Sequence, residues 1–167
     1  MQPSLFKIIS LGIPWIFAPL QDPPSWEKHE FPNYRVEFST PANWYVTIND
    51  NTEKSYLECY SPDNQVYFFL TTAENEKKST NEVVLGYLKV TYANSAFSTD
   101  ETKKINNIDF IFTNGVSSMN ETKTFIRLGV GNHKNFIYMI DSGYSTIDSK
   151  EAQETLDKII ASLRSVD

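Results

Sequence analysis

The feature that most constrains this fold is a series of strand-like segments joined by very short connections. The segments are residues 102–105, 108–116, 122–130 and 135–140. Asn106 and Asn107 alone separate the first two, which is typical of a tight hairpin turn. A parallel connection needs a crossover of about a dozen residues or more, and these linkers are much shorter. The segments are therefore predicted to form an antiparallel meander.

Four further strands are predicted before the meander, at residues 34–38, 44–48, 55–60 and 65–73. The first alternates charged and bulky side chains with a period of two, which indicates a strand with one buried face. Pro41 ends that strand because proline cannot donate to a strand ladder, and Trp44 opens the next strand as a core anchor. Residues 66–70 are apolar throughout, which is typical of a central strand covered on both faces.

A helix is predicted between these strands and the meander. Ser79 and Glu82 have the spacing of a capping box, in which the N-cap hydroxyl and a later Glu satisfy two free amides. The helix runs to about residue 92 and should pack on the sheet. Its predicted apolar stripe is Val83, Val84, Tyr87, Leu88 and Thr91.

A second helix is predicted at the C-terminal end. Asp148 or Ser149 caps it, and Arg164 lies in its last turn, where the helix dipole favours a cation. Its apolar positions are Ala152, Leu156, Ile159, Ile160 and Leu163. The predicted fold class is α+β, with a mainly antiparallel sheet of six to seven strands and two main helices.

The first 24 residues differ in composition from the rest of the chain. Lys7 precedes an apolar run at residues 8–18, and a proline-rich stretch follows at residues 19–24. The apolar run is too short to span a bilayer and fits the central region of a secretory signal. Residues 1–24 are predicted to be a signal peptide or a retained N-terminal arm, and residues 25–167 a single domain.

Charge and cysteine content argue against several functions. The net charge of −6 does not suit a nucleic-acid-binding surface, which needs clustered Lys and Arg. Cys59 is the one cysteine, so no disulfide forms within this sequence. Its strand parity matches that of Leu57, and we expect a buried structural thiol.

Signatures of catalysis or metal binding are weak. His29 and His133 are predicted to be surface residues in separate segments, so a metal site is not assigned. No Gly-x-Ser-x-Gly motif occurs, and the two glycines at residues 129 and 131 lead into a hairpin, not a helix N-terminus. Asp141 and Asp148 are a possible carboxylate pair, with nothing that brings them together. No catalytic, cofactor-binding or metal residue is assigned.

Two surface features remain open to interpretation. Asn120, Glu121 and Thr122 match the N-glycosylation pattern. Several tyrosines include side chains that strand parity could place outward, where they would suit a recognition surface. They are Tyr45, Tyr56, Tyr60, Tyr138 and Tyr144.

The order of elements resembles the PsbP-like superfamily, which includes the photosystem II extrinsic protein, a yeast Ran-GTPase-binding protein and many bacterial exported proteins. The resemblance covers residues 34–166. It rests on Phe38, Pro41 and Trp44 at one end and on Ile159, Ile160, Ser162 and Leu163 in the final helix. It implies an α/β/α sandwich around an antiparallel sheet and no catalytic residues.

Two function classes follow from these observations. The first is a non-catalytic exported domain, periplasmic or secreted, that binds a protein or envelope partner through one sheet face or loop edge. The alternative is a small-molecule carrier or an unrecognised hydrolase with a pocket between sheet and helix, using residues such as Asp141 and His133. A retained arm would make a cytoplasmic location the alternative.

Overall fold

The computed structural model describes residues 25–51, 55–119, 122–145 and 149–166, which form two antiparallel sheets and two α-helices. The helices are α1 (Asn81–Val90) and α2 (Ser149–Ser162). The strands are β1 (Trp26–Phe31), β2 (Val36–Pro41), β3 (Tyr45–Asp50), β4 (Ser55–Tyr60), β5 (Val66–Glu74), β6 (Ala96–Phe97), β7 (Glu101–Ile105), β8 (Ile108–Met119), β9 (Thr122–His133), β10 (Phe136–Ser145) and β11 (Arg164–Ser165).

The larger sheet confirms the predicted meander. Its order is β3-β4-β5-β10-β9-β8-β6, with β7 also paired to β8. β8, β9 and β10 are consecutive antiparallel neighbours, and β5 lies inside the sheet between β4 and β10, as its apolar sequence predicts. This sheet has eight strands where six to seven were predicted, because the two-residue strand β6 also joins it. The α+β fold class is confirmed.

Helices cover the larger sheet on opposite faces, which makes the predicted α/β/α sandwich. On one face, Leu85 of α1 packs with sheet side chains from β8, β9 and β10. On the other face, α2 and the smaller sheet share one core with the larger sheet. That core includes Phe31, Phe38, Phe68, Tyr138, Leu156 and Ile159. Strand parity decides which core each sheet residue joins, because successive side chains point to opposite faces.

The N-terminal part of the fold differs from the prediction. β1 precedes the predicted first strand and pairs with β2, while Tyr34 lies in a 3-10 turn and Arg35 has a left-handed φ of 51°. His29 therefore lies inside a strand and is buried, with its Nε2 2.8 Å from Thr40 Oγ1, and the predicted surface position is wrong. Burial lowers the pKa of this imidazole. The polar sequence of β1 concealed the strand, since most of its side chains face solvent.

The C-terminal end also differs from the prediction. Arg164 is not in the last helical turn but in β11, which pairs with β2. Its guanidinium forms an ion pair with Glu37, and Lys28 of β1 forms a second one with the same carboxylate. Glu37 is therefore buried between two cations. The alternation of charged and bulky residues at 34–38 predicted that it would face solvent, and that prediction is wrong.

The N-cap of helix α1 lies one residue after the predicted cap, Ser79. Thr80 is the N-cap, and its side chain accepts a bond from Val83 N at 3.5 Å. Val83 and Tyr87, predicted to pack on the sheet, are 51% and 71% exposed. The packed face contains Val84 and Leu88, as predicted, together with Leu85 and Tyr92. The helix is apolar on two faces, so periodicity alone did not choose between them.

Candidate functional site

A groove of about 650 Å3 opens at one end of the larger sheet. The β2–β3 turn, the β4–β5 turn and the first turns of α2 form its walls. We call it the Trp44 groove and define it by Trp44, Pro62, Asp63, Val66, Glu151 and Ala152. Four of these side chains are apolar and two are acidic, a combination typical of a ligand-binding surface.

The β2–β3 turn positions Trp44 in the groove wall. Trp44 N donates to Pro41 O at 3.1 Å, which closes the turn immediately before β3 begins at Tyr45. The indole is half-buried and packs against the core under α2, beside Val66. The interpretation of Trp44 as a core anchor is thus correct for one part of the side chain, while the rest of the indole lines the groove.

The β4–β5 turn holds Asp63 in one orientation. Ser61 Oγ donates to Asp63 Oδ1 at 2.5 Å, and Gln65 N donates to the same oxygen at 3.1 Å. These two bonds, the Ser61 bond first, hold the pKa of the carboxyl below its usual value. Neither of these two bonds ends on Asp63 Oδ2. Asn64, with a left-handed φ of 56°, completes the turn.

Helix α2 supplies the opposite wall. Glu151 lies in its first turn and is exposed at the groove, while Ala152 is buried beneath it. No Lys, Arg or His is among the groove-lining residues in the described part of the chain. The groove therefore combines apolar and uncharged polar side chains, and both of its charged side chains, Asp63 and Glu151, are acidic.

A second polar cluster lies on the other face of the sheet, beneath the end of α1. Tyr92 Oη donates to Asp141 Oδ2 at 2.6 Å, and Tyr67 Oη donates to Oδ1 at 3.2 Å. Burial raises the pKa of Asp141, although both hydroxyls act to lower it. Burial is also the main cause of the raised pKa values of the two tyrosines. It raises the pKa of Tyr92 to about 12, and it raises the pKa of Tyr67 by more. These tyrosines are donors that tie α1 to β5 and β10.

The structure does not bring Asp141 and His133 together. In the β9–β10 pairing, His133 lies opposite Phe136 and Asp141 lies opposite Leu128. Five residues of β10 separate the two positions, about 17 Å at the rise of an extended strand. Neither residue lines the Trp44 groove. Asp148, the other carboxylate considered with Asp141, lies outside the described residues, as do Asn120 and Glu121 of the glycosylation pattern.

Cys59 is buried, as its strand parity predicts. Its Sγ donates to Phe68 O at 3.2 Å, and burial raises the pKa of the thiol to about 12. A nucleophilic cysteine needs the opposite shift. Within the described ranges, no three His, Cys, Asp or Glu side chains are placed to hold a metal ion.

The tyrosines considered as a recognition surface separate into different environments. Tyr45 is 64% exposed beside the Trp44 groove, on the edge strand β3. Tyr138 is fully buried, and its hydroxyl donates to Tyr34 O at 3.2 Å, so it belongs to the core. Tyr56, Tyr60 and Tyr144 are half-buried. They do not form one continuous aromatic surface.

The groove residues lie in parts of the chain to which the sequence assigned ordinary structural roles. Pro62 and Asp63 fall between the predicted strands at residues 55–60 and 65–73, and Glu151 falls in the predicted C-terminal helix. The groove forms because β5 and β10 pair along their length and place the β4–β5 turn beside the end of β10. A useful signal was the large aromatic Trp44 directly after a proline turn, since such a residue is seldom covered on all sides.

Comparison with known proteins supports the fold and goes no further. No protein-family model and no curated protein matches the sequence. The solution structure of cyanobacterial PsbP from Synechocystis matches with a TM-score of 0.67 and 10% identity, covering 96% of this chain and 98% of that one. The chain has a PsbP-like fold.

Two other solved structures share this PsbP-like fold. LpqN of Mycobacterium tuberculosis, described as involved in cell envelope biogenesis, matches with a TM-score of 0.55 and 10% identity over 89% of this chain and 88% of that one. A crystal structure from Bacteroides thetaiotaomicron matches with a TM-score of 0.58 and 14% identity over 84% of this chain. This chain spans about half of that structure, 48% of its length. At these identities the likeness concerns architecture alone.

A helix that crosses a membrane needs about 20 predominantly apolar residues. Neither α1 nor α2 combines the length and hydropathy of a membrane-spanning helix, and the same holds for every helix in the described ranges.

Proposed function

We propose that this chain is an exported, non-catalytic domain that binds a protein or another cell-envelope component at the Trp44 groove. The observation that carries the proposal is the position of Trp44. One part of its indole packs against the core, and the rest lines the groove, where a ligand can contact it. Rigid aromatic anchors of this kind supply much of the energy in binding surfaces.

The chemistry of the groove supports binding more than catalysis. Asp63 is held as a carboxylate by two donors, and that state suits an electrostatic contact. A general acid would need a carboxyl whose pKa is raised towards neutrality. The acidic group that burial does raise, Asp141, lies on the other face of the sheet.

Export is supported by the sequence at the N-terminus and by one structural neighbour. Lys7 followed by the apolar run at residues 8–18 has the pattern of a secretory signal. LpqN, which shares the PsbP-like fold, is described as involved in cell envelope biogenesis.

Export is tested by fractionating the producing cells and sequencing the N-terminus of the mature chain. We expect the protein outside the cytoplasm, with a new N-terminus near residue 25. A cytoplasmic chain that still begins at Met1 contradicts export and favours the retained arm.

Binding at the groove is tested by site-specific photo-crosslinking in those cells. A photoreactive phenylalanine analogue replaces Gln65 at the groove rim or, as the control, Tyr87 on the exposed side of α1. We expect a discrete adduct from position 65 that is absent at position 87 and is lost when Trp44→Ala is added. Adducts of equal yield at both positions contradict a specific role of the groove.

The alternative function, a small-molecule carrier, is favoured by one observation. The groove lies between the end of the sheet and α2, and its volume of about 650 Å3 is within the usual range for small-molecule sites. A metabolite panel measured by thermal shift tests it, since a ligand at 100 times its Kd stabilises the folded state by about 2.7 kcal/mol. A stabilising compound whose effect Trp44→Ala abolishes would favour the carrier over the protein-binding domain.

A further inference from the structure

We propose that the Trp44 groove takes an extended, positively charged segment of a partner protein, in which a Lys or Arg lies next to an apolar residue. This inference rests on the proposed function, because it names the chemistry of the ligand at the same groove.

The charge of the groove selects a cationic partner. Asp63 and Glu151 lie on opposite walls, and among the described residues no basic side chain lines the space between them. A concave surface with one sign of charge raises the local concentration of oppositely charged ligands. The N-terminal dipole of α2 carries about half a positive charge, and the full negative charge of Glu151 in its first turn outweighs it.

Asp63 is already arranged to receive the cation. The bonds from Ser61 Oγ and Gln65 N both end on Oδ1, so the carboxylate plane is set before a ligand arrives. Neither bond uses Oδ2, which an ammonium or guanidinium group can contact. Because the side chain is held in place, binding costs little additional rotamer entropy at this contact.

Trp44 and its apolar neighbours indicate that the bound segment also carries an apolar residue next to its cation. The aliphatic stem of Lys or Arg packs along an aromatic surface while its head reaches a carboxylate, and a cation over an indole face gains further attraction. Pro62, Val66 and Ala152 extend the apolar floor beyond the indole. An apolar residue next to the basic one has a surface to cover.

The same charges disfavour an anionic membrane as the partner. Negatively charged headgroups attract basic surfaces, and two carboxylates at the rim of the groove would repel them. A protein segment also suits the shape, since the groove runs between two turns and a helix.

The proposal is tested with three fluorescein-labelled nine-residue peptides in a Gly-Ser framework. The central residues are Lys-Leu-Lys, Glu-Leu-Glu or Lys-Ser-Lys, and binding to the full chain is measured by fluorescence anisotropy. We expect the Lys-Leu-Lys peptide to bind at least about fivefold more tightly than either of the others, and its affinity to fall as salt is added.

Conservative variants connect the affinity to the groove. Asp63→Asn keeps Oδ1 as an acceptor for Ser61 and Gln65, so the fold should persist. This variant and Glu151→Gln should each weaken the Lys-Leu-Lys peptide about two- to fivefold, as expected for exposed charge pairs. Trp44→Ala should weaken it about tenfold or more. Asp109→Asn removes an exposed carboxylate at the opposite end of the sheet and should change nothing.

The outcomes separate the partner chemistry from the function of the groove. Equal binding of the Lys and Glu peptides, or an affinity unchanged by Asp63→Asn and Glu151→Gln, overturns the cationic partner. If Trp44→Ala still weakens binding in that case, the groove remains the binding site. Binding to anionic vesicles, or a dimer by sedimentation that Trp44→Ala abolishes, assigns the groove to a membrane or to a second copy and also overturns the proposal. If none of the three peptides binds, the proposal of a cationic partner segment is also overturned.

Discussion

Asp141 shows how much a single buried carboxyl can determine locally. It accepts hydrogen bonds from Tyr67 and Tyr92, and through them the end of α1 is attached to β5 and β10. Burial nevertheless raises its pKa above the ordinary value of an aspartate. The folded state therefore binds the proton more tightly than the unfolded state does, and ionisation of Asp141 costs stability.

The first prediction concerns the pH dependence of this cost. A group whose folded pKa is raised stabilises the fold fully below its unfolded pKa, near 3.8, and that contribution is lost as pH rises through the folded pKa. Asp141→Asn keeps an oxygen acceptor but no charge. Its unfolding free energy, relative to the wild type, should therefore increase between pH 3 and pH 7, as measured by urea denaturation at each pH.

A control separates charge from hydrogen bonding at the same position. Asp141→Ala removes the carboxylate that accepts from both tyrosine hydroxyls and leaves them only their mutual contact at 3.4 Å, so it should destabilise the protein by about 1–3 kcal/mol at neutral pH. Parallel pH profiles for wild type and Asp141→Asn would show that Asp141 titrates as it does in the unfolded chain.

The β8–β9 hairpin shows a constraint that operates between elements. Gly129 and Gly131 of β9 lie directly opposite Phe112 and Phe110 of β8, and the two phenyl rings stack at 5.3 Å between centroids. A Cβ on Gly129 would lie 2.7 Å from Phe112 Cδ1, and one on Gly131 2.6 Å from Phe110 Cε1. The glycines thus make room for aromatic side chains in the core under α2.

The second prediction follows from this packing. Gly129→Ala should lower the unfolding free energy by about 1–3 kcal/mol, because the added methyl displaces a core ring. Adding Phe112→Leu should recover part of the loss. Gly86→Ala is the matched control: a Cβ at this position on α1 meets nothing within 4 Å, and the change should stabilise the helix by about 0.5–1 kcal/mol. Chemical denaturation measures all three, and an equal effect of both glycine substitutions would contradict the packing argument.

Elements with strong local signals were predictable, and those that depend on distant partners were not. The meander and both helices follow from connection length and hydrophobic period. By contrast, β11 is a strand only through its pairing with β2, in which Arg164 lies opposite Glu37, a residue far away in the sequence. β1 was missed for the same reason, since its polar residues pair with β2 and show no period of their own.

At the scale of the whole molecule, the described residues form two cores, one on each side of the larger sheet. Cys59 lies in the core shared by β4, α2 and the smaller sheet, where its side chain is fully buried. A reagent can reach the Cys59 thiol only when α2 and the smaller sheet move away from the larger sheet. The reactivity of this one cysteine therefore reports on the opening of the molecule.

The third prediction uses that property. Labelling of Cys59 by Ellman's reagent at pH 8 should be at least about a thousandfold slower than that of a free thiol, because only the opened state reacts. The rate should rise in urea in step with unfolding. A Cys59→Ser, Glu58→Cys variant is the control, since residue 58 is exposed and should label at once. Rapid labelling of the native wild type would contradict the buried position.

The Trp44 groove also belongs to this scale. Its walls come from residues near positions 44, 63 and 151, and strand pairing and helix packing bring them together. Each residue has an ordinary local explanation as a core anchor, a turn or a helix start. Their convergence has no local signal.

The amino-acid sequence alone determined most of the strands, both helices, the antiparallel order of the meander and the PsbP-like architecture, because short connections and hydrophobic period act over neighbouring residues. The tertiary structure decided which face of α1 is buried, why Glu37 tolerates burial and where a ligand can bind. Those outcomes depend on contacts between different elements, some of them more than a hundred positions apart, as between Ser39 N and Ser162 Oγ at 2.8 Å. Only the packed chain brings such groups within bonding distance.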